Sequence, residues 1–236
     1  MKKFLNFIWV FLGFVTVGIA QFPEEMARTI ESMQRDIFER KIEEGMVSYN
    51  DIMGTPYYHE KFQPGIIFLQ SGRKFEDVQL NYDMYHDEFA YLDDGKLFFL
   101  GNQKNIEKII WNDQRFKYEV FEDDRGDQKY GYMILLVEGK CDLYKRTLTE
   151  FKESTQAEVF SDSKPARFER QDPVFYLRKP SMKSIVEIRT LWKKRFLKKY
   201  FPDKQDKLLK MIRENDINIR NEEGLIKFVN LYNAMN

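Results

Sequence analysis

Short apolar runs separated by turn residues fill the middle of the sequence and constrain its fold most strongly. In VQLNYDMY (78–85) apolar and polar side chains alternate, as in a strand that buries one face. FAYL and KLFFL flank Asp93-Asp94-Gly95, and an Asp-Gly pair between apolar runs is a strong hairpin signal. About nine such runs lie between residues 66 and 178, which predicts an antiparallel β-meander, folded as a curled sheet or a small sandwich.

One run in this region differs from the others because both of its faces are apolar. YGYMILLVEG (130–139) is therefore expected to lie centrally, with its neighbour CDLYKRTL (141–148) joined to it by a tight turn. Together the runs define an expected antiparallel β domain over residues 51–180.

The segments on either side of the β region have the 3.6-residue period of helices. Residues 21–50 predict an N-terminal helix, and residues 181–236 predict a three-helix tail, so the expected fold class is α+β. The first tail helix is expected to begin near Ser184 and to bury one apolar face, formed by Ile185, Ile188, Trp192 and Phe196. Pro202-Asp203 predicts the start of the second helix, and Asn221 that of the third.

The first twenty residues predict export of the protein. Lys2 and Lys3 precede an uncharged apolar stretch of roughly 16 residues, which ends in small residues at Gly18 and Ala20. This layout is typical of a secretory signal peptide over residues 1–20, and a retained membrane anchor is the alternative. No other run is long enough to cross a membrane, so we expect a location in the periplasm, at the outer membrane or outside the cell.

Composition and motifs exclude several kinds of function. Lysine and arginine number 38, as do aspartate and glutamate, so loss of Lys2 and Lys3 leaves a net charge near −2, which does not favour nucleic-acid binding. The chain has a single cysteine, Cys141, which excludes an intramolecular disulfide. Its two histidines, His59 and His86, are too few to form a zinc site with that cysteine, so none is expected. The GxSxG, HExxH, Walker A and GxGxxG motifs are absent, so the sequence predicts no cofactor and no catalytic residue; it does not indicate an oligomeric state.

Residues 81–95, NYDMYHDEFAYLDDG, place four aspartates, one glutamate and His86 in one short stretch of the β region. The alternation places Asp83 on a solvent face, and aspartate is common in turns because its side chain bonds nearby backbone. We therefore interpret the stretch as the solvated side of a hairpin. The alternatives are a weak cation site formed by Asp83, His86 and Asp87, although the spacing is not that of a calcium loop, and a glycosidase-like carboxylate pair.

Charge placement in the tail gives the strongest indication of a binding surface. Between Lys179 and Arg213 the chain has twelve lysines and arginines and three acids, a local excess of nine positive charges. Lys193, Lys194 and Lys198 are predicted to share a solvent-facing side of the first tail helix, opposite Ile188 and Trp192. Such a side can dock on anionic lipid headgroups, an anionic polymer or an acidic protein; the alternative is a solvated helical face without a ligand.

Several of these segments together resemble a recurrent type of uncharacterised exported protein of the Bacteroidota. The resemblance rests on the signal peptide and on four further segments, in chain order GTPYYHEKFQPGIIF, VQLNYDMYHDEFAY, YGYMILLVEGKCDLYKR and the tail from SIVEIRTLWKKRF to KFVNLYN. It covers most of the mature chain and implies an envelope location, but no activity.

The expected function is therefore that of a non-enzymatic exported envelope protein that binds a protein partner or an envelope polymer. Two alternatives stay open: a carbohydrate-active or other hydrolase with an unrecognised carboxylate pair, and a module that docks on anionic surfaces through the lysine-rich helix.

Overall fold

The computed structural model describes residues 52–123, 125–155 and 164–235, so the predicted signal peptide and N-terminal helix lie outside the described residues. Within these ranges the chain forms twelve strands: β1 Gln63–Leu69, β2 Lys74–Asp83, β3 Glu88–Asp93, β4 Lys96–Phe99, β5 Ile106–Trp111, β6 Gln114–Glu122, β7 Gln128–Val137, β8 Asp142–Arg146, β9 Thr149–Lys152, β10 Arg167–Arg170, β11 Val174–Arg178 and β12 Ile185–Glu187. Three α-helices follow: α1 Lys193–Tyr200, α2 Gln205–Glu214 and α3 Glu222–Ala234. The predicted α+β class, with a β region followed by three helices, is confirmed.

The predicted hairpins are present. Strands β2, β3 and β4 pair in succession and antiparallel. Between β3 and β4, Asp94 and Gly95 have φ angles of 46° and 76°, the positive values that a tight two-residue hairpin turn requires. The run at residues 130–139 forms most of β7, whose two faces are both buried, as its sequence predicted: Tyr132 and Ile134 enter one core, and Met133 and Leu135 enter another.

Ten of the strands form one sheet, and part of it closes on itself. Neighbours in this sheet follow the order β12-β11-β8-β7-β6-β5-β1-β2-β3-β4, and β12 also pairs in parallel with β6 through Ile185 and Phe121. The prediction of a meander is thus incomplete. Five of the strands close into a barrel, namely β6, β7, β8, β11 and β12. Its interior contains Phe121, Met133, Leu135, Tyr144, Tyr176 and Ile185.

The predicted start of the first tail helix is wrong. Residues 185–187 form strand β12, and α1 begins only at Lys193. Ile185 is 2% exposed inside the barrel, whereas Trp192, expected on the same buried face, is 63% exposed. The physical reason is tertiary contact. In the extended form, the β-branched residues Ile185 and Val186 can bond the free edges of β11 and β6, which a helix cannot do.

Two further cores lie on either side of the barrel. Strands β1 to β7 curl around an aromatic core that includes Tyr82, Phe89 and Trp111. The three helices cover the outside of the barrel, where Leu143 of β8 and Leu177 of β11 are fully buried beneath helical side chains such as Phe196 and Phe228. No helix in the described ranges is long and apolar enough to span a membrane.

Candidate functional site

Asp83 lies at the end of β2 and is 2% exposed, so its predicted position on a solvent face is wrong. The residues that precede β1 pair with the end of β2: Tyr57 forms an antiparallel β-bridge with Asp83, and the Tyr58 N–H donates to the Tyr82 carbonyl at 2.8 Å. The Asp83 carboxylate accepts hydrogen bonds from the backbone N–H groups of Tyr85 and His86, at 2.9 and 3.0 Å. Its second oxygen lies 2.8 Å from His86 Nδ1, and this hydrogen bond raises the pKa of His86.

Asp87, in the turn between β2 and β3, is held by a separate set of partners. Its carboxylate accepts hydrogen bonds from Arg146 of β8 at 2.5 Å, from the Tyr82 hydroxyl at 2.5 Å and from the Tyr132 backbone N–H at 3.1 Å. Burial raises the pKa of Asp87, and the Arg146 guanidinium opposes this shift. The ion pair passes over Gly131, where a Cβ atom would overlap both charged groups. Asp87 therefore ties the β2–β3 turn to the barrel.

The structure brings two of the three predicted cation ligands together and separates the third. Asp83 and His86 form a pair, whereas Asp87 has arginine as its charged partner. In the described part of the chain, no group of three or more histidine, cysteine, aspartate or glutamate side chains is placed to hold a metal ion. The cation site stays a prediction without geometric support, and Asp83 and Asp87 do not form a free carboxylate pair.

Cys141 is buried immediately before β8. Burial raises the pKa of its thiol to about 12, so the thiolate that nucleophilic chemistry needs is not formed near neutral pH.

The lysine-rich helix α1 does expose its predicted residues. Phe196, Leu197 and Tyr200 are its buried side chains, and this placement turns Lys193, Lys194 and Lys198 to solvent. The Tyr200 hydroxyl also fixes the chain that leads into the helix, because it accepts a hydrogen bond from the Arg189 N–H and donates one to the Glu187 carbonyl.

A groove of about 750 Å³ opens at the start of α1. The described residues that line this basic groove are Trp192, Lys193, Lys194, Arg195, Asn218 and Arg220. The last two residues come from DINIRN (216–221), between α2 and α3. In this segment Ile217 and Ile219 are buried in the helical core, so the alternating residues Asn218 and Arg220 face outward. The guanidinium carbon of Arg220 lies 4.5 Å from the centre of the Trp192 ring, within the range of a cation–π contact.

The cations of the basic groove have no acidic partner in the part of the chain that the structure describes. The first turn of α1 contains no acidic residue. Among the described residues, no carboxylate forms an ion pair with Lys193, Lys194, Arg195 or Arg220. Four cations around one concavity that also exposes an indole make a surface suited to an anionic ligand.

The predicted binding residues and the residues that line the basic groove overlap in part. Lys193 and Lys194 line the basic groove, whereas Lys198 is exposed on α1 beyond it. Trp192, predicted to face away from the lysines, lies beside them and is 63% exposed. Sequence reasoning missed Arg195, Asn218 and Arg220. The alternation in DINIRN indicates that Asn218 and Arg220 point outward, but not that they meet the start of α1.

Comparison with known proteins adds no relative to this description: no protein-family model, no curated protein and no solved structure matches the chain.

Proposed function

We propose that the protein is a non-enzymatic exported binding protein that docks an anionic polymer of the cell envelope in its basic groove. The single observation that carries this proposal is the clustering of Lys193, Lys194, Arg195 and Arg220 around one concavity without an ion-pair partner in the described residues. The layout of residues 1–20, with a charged start, an apolar stretch and small residues at its end, supports the export part of the proposal.

The chemistry of the side chains favours binding over hydrolysis. The described residues that line the basic groove include no carboxylate, histidine or cysteine, so they offer no acid–base pair of the kind that glycosidases use. Asp83 and Asp87, the acids that a hydrolase would most readily use, each have a hydrogen-bonded partner within the fold. The basic groove is the candidate site that these observations favour.

Binding to an immobilised polyanion tests the proposal. We expect the protein to bind dextran sulfate and to ignore neutral dextran at low ionic strength, because exposed charges are screened beyond about 10 Å at 0.1 M salt. The double variant Lys193→Glu/Lys194→Glu is expected to bind at least about tenfold more weakly, a change of about 1.4 kcal/mol.

The matched control is Lys207→Glu/Lys210→Glu, which makes the same change of charge at exposed positions of α2 outside the groove. It is expected to bind nearly as well as the unaltered protein. Equal losses in the two variants would show that net charge, and not the basic groove, governs binding.

A further inference from the structure

The basic groove combines its cations with an aromatic surface, which an ion-binding site alone does not need. Trp192 is 63% exposed, although a tryptophan of a folded protein is usually mostly buried. Its ring forms part of the lining beside Lys193 and Lys194, and the Asn218 amide lies in the same lining. The groove therefore offers an apolar face, positive charges and one amide, which can both donate and accept hydrogen bonds.

These three features match one class of anionic polymer. A sugar ring in an acidic polysaccharide presents a patch of C–H bonds on one face, carboxylates at regular intervals and hydroxyl groups at its rim. The C–H patch can pack on an indole ring, the carboxylates can pair with lysine or arginine, and the hydroxyls can bond an amide. A polyphosphate or an acidic peptide supplies the negative charge without the C–H patch.

The volume and lining of the groove favour this ligand over a single phosphate and over a bilayer surface. A volume of about 750 Å³ falls within the range of roughly 300–1,000 Å³ that is typical of sites for multi-atom ligands and far exceeds a single phosphate. A bilayer surface requires an apolar face that can enter the headgroup region. Here Trp192 is the one large apolar side chain that the described residues contribute to the lining.

We infer that the occupant of the basic groove is an acidic polysaccharide, with a sugar ring packed on Trp192 and its carboxylates paired with Lys193, Lys194 and Arg195. This inference rests on the proposed function, which states only that the ligand is an anionic polymer. It assigns Trp192 a role that a purely electrostatic surface would not give it.

Calorimetric titration of the purified protein tests the inference with three probes: a galacturonate oligosaccharide, a glutamate peptide with the same number of carboxylates, and the neutral galactose oligosaccharide. The galacturonate oligosaccharide is expected to bind most tightly. Trp192→Ala is expected to weaken its binding about tenfold, since a truncated aromatic anchor costs more than 1 kcal/mol at many interfaces. Trp192→Phe, which keeps an aromatic face, is expected to retain most of the affinity.

Tyr130→Ala is the control for the loss of an exposed aromatic ring, because Tyr130 is 54% exposed on β7, away from the groove lining. It is expected to bind as the unaltered protein does. Lys193→Glu/Lys194→Glu is expected to weaken binding of both acidic probes.

The outcomes separate the two proposals. Equal binding of the glutamate peptide, or an unchanged galacturonate affinity in Trp192→Ala while charge reversal still weakens it, overturns the polysaccharide inference and leaves the anion-binding function standing. Tighter binding to phosphatidylglycerol vesicles than to the oligosaccharide overturns it as well. If neither acidic probe binds, or if charge reversal changes neither affinity, the proposed function fails together with the inference.

Discussion

At the scale of single residues, the protein separates its buried charges from its exposed ones. The Asp87 carboxylate, which forms a largely buried ion pair with Arg146, also accepts hydrogen bonds from the Tyr82 hydroxyl and the Tyr132 N–H. The cations of the basic groove have no such partners among the described residues. Because a buried unpaired charge is costly whereas an exposed one is not, the first set is best explained by folding and the second by binding.

Removal of the buried arginine tests this distinction. Arg146→Met leaves the Asp87 carboxylate without its charged partner, and the free energy of unfolding is expected to fall by about 3–5 kcal/mol in urea denaturation. Adding Asp87→Asn is expected to recover a large part of this loss, since no uncompensated charge then remains.

Lys74→Met is the control for this prediction, because Lys74 pairs with Glu76 at 2.7 Å with both side chains more than half exposed. Breaking that pair is expected to change stability by less than about 1 kcal/mol. Similar losses for Arg146→Met and Lys74→Met would contradict the role given to Asp87–Arg146.

At the scale of elements, β12 decides the architecture of the second half of the chain. It has three residues, yet it pairs with β11 on one side and with β6 on the other. The Ile188 N–H extends this edge by donating to the Phe175 carbonyl at 2.8 Å. The hydroxyl of Tyr200, the last residue of α1, then bonds both Glu187 and Arg189, so the end of the strand is tied to the carboxyl end of α1.

Truncation of the barrel-facing residue of β12 tests its assignment as a strand. Ile185→Ala is expected to lower the free energy of unfolding by about 2–5 kcal/mol, because it leaves a cavity beside Phe121 and Tyr176. Lys183→Ala, at an exposed position just before the strand, is expected to cost less than about 0.5 kcal/mol. A loss below 1 kcal/mol for Ile185→Ala in chemical denaturation would contradict burial in the barrel.

At the scale of the whole molecule, local sequence signals predicted the strands and hairpins, because these depend on residues that are neighbours in the sequence. The runs FAYL and KLFFL fall in β3 and β4, because apolar runs and the turn residues between them determine such strands locally. The burial of Asp83, where Tyr57 pairs with it, and the closure of the barrel through Ile185 depend on segments distant in sequence, so no local pattern predicts them. The basic groove is an intermediate case: the lysines were predictable from charge, whereas their meeting with Arg220 depends on the packing of three helices.

The two tryptophans of the described residues allow one measurement to test the central claim, that the basic groove binds an anionic polymer. Trp111 is 1% exposed and its indole N–H donates to the Gln63 carbonyl at 3.3 Å, whereas Trp192 is 63% exposed in the groove. In a titration of the ¹⁵N-labelled protein with galacturonate oligosaccharide, the indole N–H resonance that Trp192→Phe removes is expected to shift and saturate, and that of Trp111 to stay in place. Binding that leaves the Trp192 resonance unmoved would contradict the account.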